Sequence, residues 1–249
     1  CIRDRDGTDT LTISDAGTHV DADFTNITSV ETVSFGNNAT TLTLGALSTA
    51  AGVVTVTDGT AYTAVTLGAE HTLATTVALS TGNDTITATN YTGVLTVTAS
   101  ADSITGADTI TGSSGAETII GGDGNDSLVA AAGNDSVSGG AGNDTLKGFR
   151  GKDSLSGGDG NDILKAGNGR DTLTGGLGVD TLYGGFGLNT FEDSDDGYAD
   201  SLYLKSDHLA SNWIYGKAAN SPNGTKADKI GELCLLYTSP SPRDRTRSR

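Results

Sequence analysis

The chain has 249 residues, with 31 Asp and Glu against 15 Lys and Arg, a formal net charge of −16, 36 glycines, two cysteines and no methionine. Two cysteines cannot build a disulfide framework, and so acidic a chain lacks the basic patch that nucleic-acid binding requires. No apolar run approaches the ~18 residues of a membrane span; the acidity points instead to a divalent cation as partner.

Residues 1–5 and 234–249 read as translated sequencing adapter. Cys234 opens the run CLLYTSPSPRD, and the opposite strand of the same adapter encodes Cys1-Ile2-Arg3-Asp4. Both ends are expected to stand outside the fold. Without them both cysteines disappear, and nine basic and 29 acidic residues remain, a formal charge of −20.

Residues 6–78 are rich in Thr, Ala and Val. The runs TLTIS, ETVSF, TTLTL, VVTVT and AVTL alternate β-branched and small residues between Gly, Asn and Asp, the pattern of short strands. Either a sandwich or further coils of a solenoid fits; the solenoid is favoured. His19 and His71 stand alone here, as His208 does later, with no partner at metal-ligand spacing. Each reads as a packed or solvated histidine.

Residues 79–192 carry a repeat. From Gly112 the chain divides without a gap into nines: GSSGAETII, GGDGNDSLV, AAAGNDSVS, GGAGNDTLK, GFRGKDSLS, GGDGNDILK, AGNGRDTLT, GGLGVDTLY and GGFGLNTFE. Every eighth place is apolar, from Ile119 to Phe191. Upstream, GADTIT (residues 106–111) has the same ending, and LSTGNDTIT, ATNYTGVLT and VTASADSIT keep the spacing with weaker loops. Glycine this dense is costly in a helix, and a period of nine matches no helical face. Each unit instead reads as a turn of about six residues and a three-residue strand with its middle side chain inward. Two units make one coil, and coils stack as parallel strands about 4.8 Å apart, pooling a core that no single repeat could bury. The expected fold is therefore all-β: a parallel β-roll, a right-handed β-solenoid, preceded by the Thr-rich β region. Residues 193–233 break the period and read as an interrupted C-terminal cap.

The Gly-Gly-x-Gly-x-Asp-x-U-x pattern, with U aliphatic, resembles the calcium-binding repeats-in-toxin (RTX) family. The resemblance implies Ca²⁺ sandwiched between same-side turns, held by sixth-place carboxylates and by backbone carbonyls. Carried over residue by residue, the carboxylates are Asp108, Asp126, Asp144, Asp162 and Asp180 on one side. On the other they are Glu117, Asp135, Asp153 and Asp171, with the neutral Asn189 last. The carbonyls are those of Gly121, Asp123, Gly139, Ala141, Gly157, Asp159 and Gly175. A set of oxygens without His or Cys suits Ca²⁺ better than Zn²⁺ or Cu²⁺. Stacked like charges would oppose folding without a cation between them, so metal binding and folding are expected to be coupled.

The two columns differ. Lost glycines, the neighbours Lys152 and Arg170, and the Glu and Asn replacements all fall in the second. A filled calcium row is expected on the first side and a weaker row on the second. The resemblance further implies a non-enzymatic, calcium-folded module of a bacterial protein exported by type I secretion to the cell surface, of S-layer or adhesin type. Neighbouring copies or surface glycans are its expected contacts. The alternative is the calcium-folding and secretion module of a hydrolase or toxin.

Overall fold

The computed structural model of the chain describes residues 10–13, 16–19, 30–36, 40–45, 55–57, 63–79, 81–99, 106–192, 200–204, 213–215 and 229–230. The two terminal segments assigned to adapter lie outside these residues, as does most of 193–233.

All the regular structure among the described residues is strand. The strands alternate between two 11-stranded sheets, odd-numbered strands in one and even-numbered in the other, and every pairing is parallel. A chain that visits two facing sheets in strict alternation is a β-solenoid, and each coil supplies one strand to each sheet. The expected architecture is present, and it extends upstream: Thr10–Ile13 and Gly17–His19 open the same two sheets that run through the repeats. The Thr-rich region is therefore solenoid.

Coil length separates the two materials. Thr118 pairs with Ser136 and Ser136 with Ser154, so coils in the repeats span 18 residues. Upstream, Thr40 pairs with Thr63 and Thr85 with Thr109, coils of 23 and 24 residues. The register of 18 starts at Thr109, later than the fade-in near Leu79 that the sequence spacing suggests. The reason is the width of the core. The strand Thr40–Leu44 turns three side chains inward, whereas a repeat strand turns in one aliphatic residue and a glycine, so a shorter coil encloses it.

The eighth-place ladders form the centre of one continuous core. Ile119, Val137, Leu155, Leu173 and Phe191 line one sheet; Ile110, Leu128, Leu146, Leu164, Leu182 and Leu202 line the other. Complete burial of a Leu or Ile side chain contributes roughly 1.5–3 kcal/mol, and each ladder repeats that gain once per coil.

Two expectations need correction. Most repeat strands have six or seven residues rather than three, although Ser127–Val129 and Thr190–Glu192 keep three: Thr118–Asp123 runs from the seventh place of one unit to the third place of the next. The second-place glycine makes this possible. Gly122, Gly140 and Gly158 have φ of 102°, 120° and 119°, a region closed to most side chains, and the ladder continues through them as Gly122↔Gly140 and Gly140↔Gly158. The turn is thereby reduced to places four to six. Beyond Glu192, in the segment read as a cap, Ser201–Leu204, Trp213–Tyr215 and Lys229–Ile230 extend both sheets in parallel. No helix among the described residues is long and apolar enough to cross a membrane.

Candidate metal centre

Strand alternation continues through the turn, so places six, eight and one all face inward. Each sixth-place carboxylate is consequently buried at a corner of the coil. Asp108, Asp126, Asp135, Asp144, Asp153, Asp162, Asp171, Asp180 and Glu117 are all 3 % exposed or less. Burying carboxylates is costly unless they are bonded or paired, and in Asp126, Asp135, Asp144, Asp153, Asp162, Asp171 and Glu117 only one oxygen is hydrogen-bonded by the chain.

That oxygen organises the backbone. In the first column the N–H of Asp108 donates to Asp126 Oδ1, that of Asp126 to Asp144, of Asp144 to Asp162, and of Asp162 to Asp180, each at 2.8 Å. The second column repeats the motif more loosely, from Glu117 to Asp135 at 2.9 Å, Asp135 to Asp153 at 3.1 Å, and onward through Asp171 to Asn189 at 3.0 Å. The fifth-place Asn bonds the opposite way: Asn143 and Asn161 donate their N–H groups to the side chains of Asn125 and Asn143. Asp thus ties each coil to the one before it, and Asn to the one after.

The other oxygen is left for a ligand. The Oδ2 atoms of Asp126, Asp144, Asp162, Asp135, Asp153 and Asp171, and Oε2 of Glu117, are buried without a hydrogen bond. Beside each in the first column lies the first-place glycine. A Cβ on Gly121 would run into Asp126 Oδ2 and stand 2.7 Å from the carbonyl oxygen of Gly139; one on Gly139 would meet Asp144 Oδ2 and the Gly157 carbonyl. Gly157 stands in the same way between Asp162 and the Gly175 carbonyl, and Gly175 beside Asp180. The missing side chain leaves a cradle edged by a carboxylate oxygen and a carbonyl oxygen of the next coil. Among the described residues no three His, Cys, Asp or Glu side chains converge on one point, and the oxygen that faces the carboxylate across the Gly121, Gly139 and Gly157 cradles is a backbone carbonyl. This donor set fits Ca²⁺.

Electrostatics agree. Burial raises the pKa of each of these carboxylates, against the backbone hydrogen bond that lowers it: Asp144 and Asp153 reach about 6 and Asp162 about 7. Neighbouring carboxylates raise all three further, Asp144 and Asp180 on either side of Asp162 among them. Burial likewise raises Asp126, Asp135, Asp171 and Glu117. Bound cations reverse this penalty.

The structure sorts the carbonyls expected as ligands. Those of Gly139, Gly157 and Gly175 edge cradles. Those of Ala141 and Asp159 accept from the N–H groups of Gly124 and Gly142, each at 2.7 Å, and so belong also to the rung-to-rung ladder.

The columns differ where the sequence places its departures. In the second column two first places hold Ala130 and Ala166, both fully buried, which put a methyl group where Gly121 and Gly139 leave space, whereas Gly148 leaves the same space beside Asp153 Oδ2. Its second place holds Ala131 at φ 84° and Phe149 at φ 74°, conformations that cost an L-residue roughly 1–2 kcal/mol. Glu117 Oε1 accepts from the Ser113 hydroxyl.

Two column members escaped the sequence reading. Asp84 and Asp200 extend the first column, accepting from Thr63 N–H and Asp180 N–H at 2.7 and 2.9 Å. For Asp84 the signal was present in Gly82-Asn83-Asp84; Asp200 follows the break in period and carried none. Upstream, the second column holds aromatics. His71 and Tyr91 are buried and stacked with ring centroids 5.9 Å apart, the His71 Nε2 lies 2.9 Å from the Thr75 hydroxyl, and the Tyr91 hydroxyl bonds the Leu73 carbonyl. His71 is a packed histidine.

Stacked coils whose corners carry columns of buried carboxylate and carbonyl oxygens define a repeat module built around a hard divalent cation. Residues 102–137, 129–164 and 156–191 match the family model described as RTX calcium-binding nonapeptide repeat, four copies. The segment 102–191 is thus an RTX calcium-binding repeat module. No curated protein and no solved structure matches the chain.

Proposed function

We propose that the chain is a calcium-folded structural module of a secreted bacterial cell-surface protein of S-layer or adhesin type, with Asp108, Asp126, Asp144, Asp162 and Asp180 as its principal calcium ligands. The observation that carries the calcium reading is the buried, unbonded Oδ2 of Asp126, Asp144 and Asp162 beside a glycine that leaves room for an ion. Asp135, Asp153, Asp171 and Glu117 form the weaker row, because Ala130 and Ala166 narrow two of its cradles. The structural role is supported by the solenoid itself: Thr-rich coils and calcium repeats share the same two sheets, as in a continuous scaffold. A calcium-folding appendage to a hydrolase or toxin is the alternative, and a catalytic domain in the adjoining reading frame would favour it. The domain reading that follows is a Thr-rich scaffold over 6–78, the roll over 79–192, and a C-terminal segment over 193–233.

The experiment compares calcium titrations of Asp144→Ala, beside Gly139, and Asp135→Ala, beside Ala130, followed by circular dichroism of the full chain. The Asp144 variant is expected to lose the greater share of affinity. Equal losses defeat the asymmetry, and a spectrum already β-rich in chelator at neutral pH defeats calcium-driven folding.

A further inference from the structure

From Asp6 to Leu146 the chain contains no Lys or Arg; then Lys147, Arg150, Lys152, Lys165 and Arg170 arrive within 24 residues. The fold gathers three of them, Lys147, Arg150 and Lys165, on one face. Lys147, Lys165, Tyr183 and Tyr203 are register neighbours on the outside of one sheet. Tyr183 and Tyr203 stack at 4.5 Å, and the Lys165 ammonium lies 5.4 Å from the Tyr183 ring centre. Arg150 leads the adjacent row, which ends in Phe186. Between these rows, Phe149 holds φ 74° with its ring 52 % exposed. That backbone is costly, and core packing does not explain it, because the ring faces outward. Lys147, Phe149, Lys165 and Gly167 enclose a hollow of about 280 Å³.

The outside of the other sheet has the opposite character. Its ninth-place row reads Ile120, Ser138, Ser156, Thr174, Glu192, and its third-place row Asp123, Ala141, Asp159, Leu177. Ile120 and Leu177 are exposed apolar groups. Ile120, Asp123, Ser138, Ala141 and Asp159 border a second hollow, of about 350 Å³. One face therefore offers cations and aromatic rings, the other carboxylates and aliphatic groups. Both follow the same strand spacing, because both belong to one solenoid.

We propose that these two faces dock on each other between copies of this chain, the Lys147–Lys165 face of one against the Asp123–Asp159 face of the next. Opposite charges select this pairing and disfavour either face against itself. Since the two patches differ, the contact is heterologous and leaves a free face at each end, so copies add into an open stack. An acidic glycan would satisfy the cations too. Only a second copy also accounts for the complementary carboxylate and apolar groups at matching pitch on the opposite face. The inference deepens the structural-module reading and rests on the roll being folded.

The test is sedimentation velocity and light scattering of the full chain in calcium, at increasing concentration and at low and high ionic strength, with circular dichroism on each sample. Mass is expected to grow with concentration at low salt and to fall back to monomer at high salt. Lys147→Gln/Lys165→Gln and Asp123→Asn/Asp159→Asn are each expected to stay monomeric alone and to form a one-to-one dimer when mixed, because each retains the face the other lacks. A β-rich wild-type chain that stays monomeric at every concentration overturns the docking and leaves the calcium reading standing. So do variants that associate as the wild type does. A monomeric wild type retained on immobilised polygalacturonate, with retention lost in the Lys variant, assigns the face to an acidic glycan instead. A chain without β signal in calcium overturns both readings.

Discussion

Removing calcium should make folding depend on acid. Burial first, and then neighbouring carboxylates, hold Asp144 and Asp153 at about 6 and Asp162 at about 7, against an ordinary 3.8. Across that interval the folded chain keeps protons that the unfolded chain has released. The stability of the metal-free roll is thus greatest below about pH 4, falls as pH rises through the interval from 4 to 7, and is lowest above the folded values. One pKa unit corresponds to ~1.4 kcal/mol, so above neutral pH each of these carboxylates opposes folding of the metal-free roll by a few kcal/mol. That is a large fraction of the stability of a typical domain, about 5–15 kcal/mol. The assay is far-ultraviolet circular dichroism of the full chain, freed of calcium by dialysis, from pH 8 down to pH 5, above its pI of about 4.3. The β signal is expected to grow progressively on acidification from pH 7 towards pH 5, and millimolar calcium should restore it at every pH. A metal-free spectrum that is flat across this range, or that gains β signal as pH rises, refutes the argument.

Three substitutions probe the corners individually. Gly139→Ala places a methyl group against Asp144 Oδ2 and should remove one first-column ion, read as calcium stoichiometry by isothermal titration calorimetry, with about 1–3 kcal/mol lost to overpacking. Ala130→Gly with Ala166→Gly opens the second-column cradles and should raise stoichiometry or affinity; unchanged titrations would show that the methyl groups do not limit binding. Ala131→Gly relieves φ 84° and should raise the denaturation midpoint in calcium by about 0.5–1 kcal/mol, the left-handed cost less the entropy of glycine.

The repeats were legible because their signals are local and periodic. An aliphatic residue at every eighth place gives the inward ladder, and Asp at every sixth gives the column, since both lie on the inner face of an alternating strand. The extent of the strands was less legible. Gly121-Gly122 reads as turn in sequence, and only the pairing of Gly122 with Gly140 shows that the ladder passes through it at positive φ. The Thr-rich coils left solenoid and sandwich open because alternating strands serve both; what decides is the long-range register, such as Thr40↔Thr63, which composition does not encode. Asp200 could not be read at all, because its place in the column is set by a 20-residue step from Asp180 that matches no repeat.

The glycine-poor unit AAAGND shows how backbone and metal chemistry are coupled in this fold. A sixth-place carboxylate does two things with two oxygens: Oδ1 holds the preceding coil through an N–H, and Oδ2 faces the first-place residue. The first task survives substitution at the first and second places, and Asp135 still accepts from Glu117 N–H at 2.9 Å with Ala130 and Ala131 in its turn. The second task does not, because it depends on the volume that a glycine leaves empty. A column can therefore lose cradle volume while keeping its hydrogen-bonded ladder, as the second column does at Ala130 and Ala166 but not at Gly148. Selection on coil stacking alone would preserve Asp and release Gly. The first column preserves both at Gly121, Gly139, Gly157 and Gly175, and the added requirement there is room for a cation.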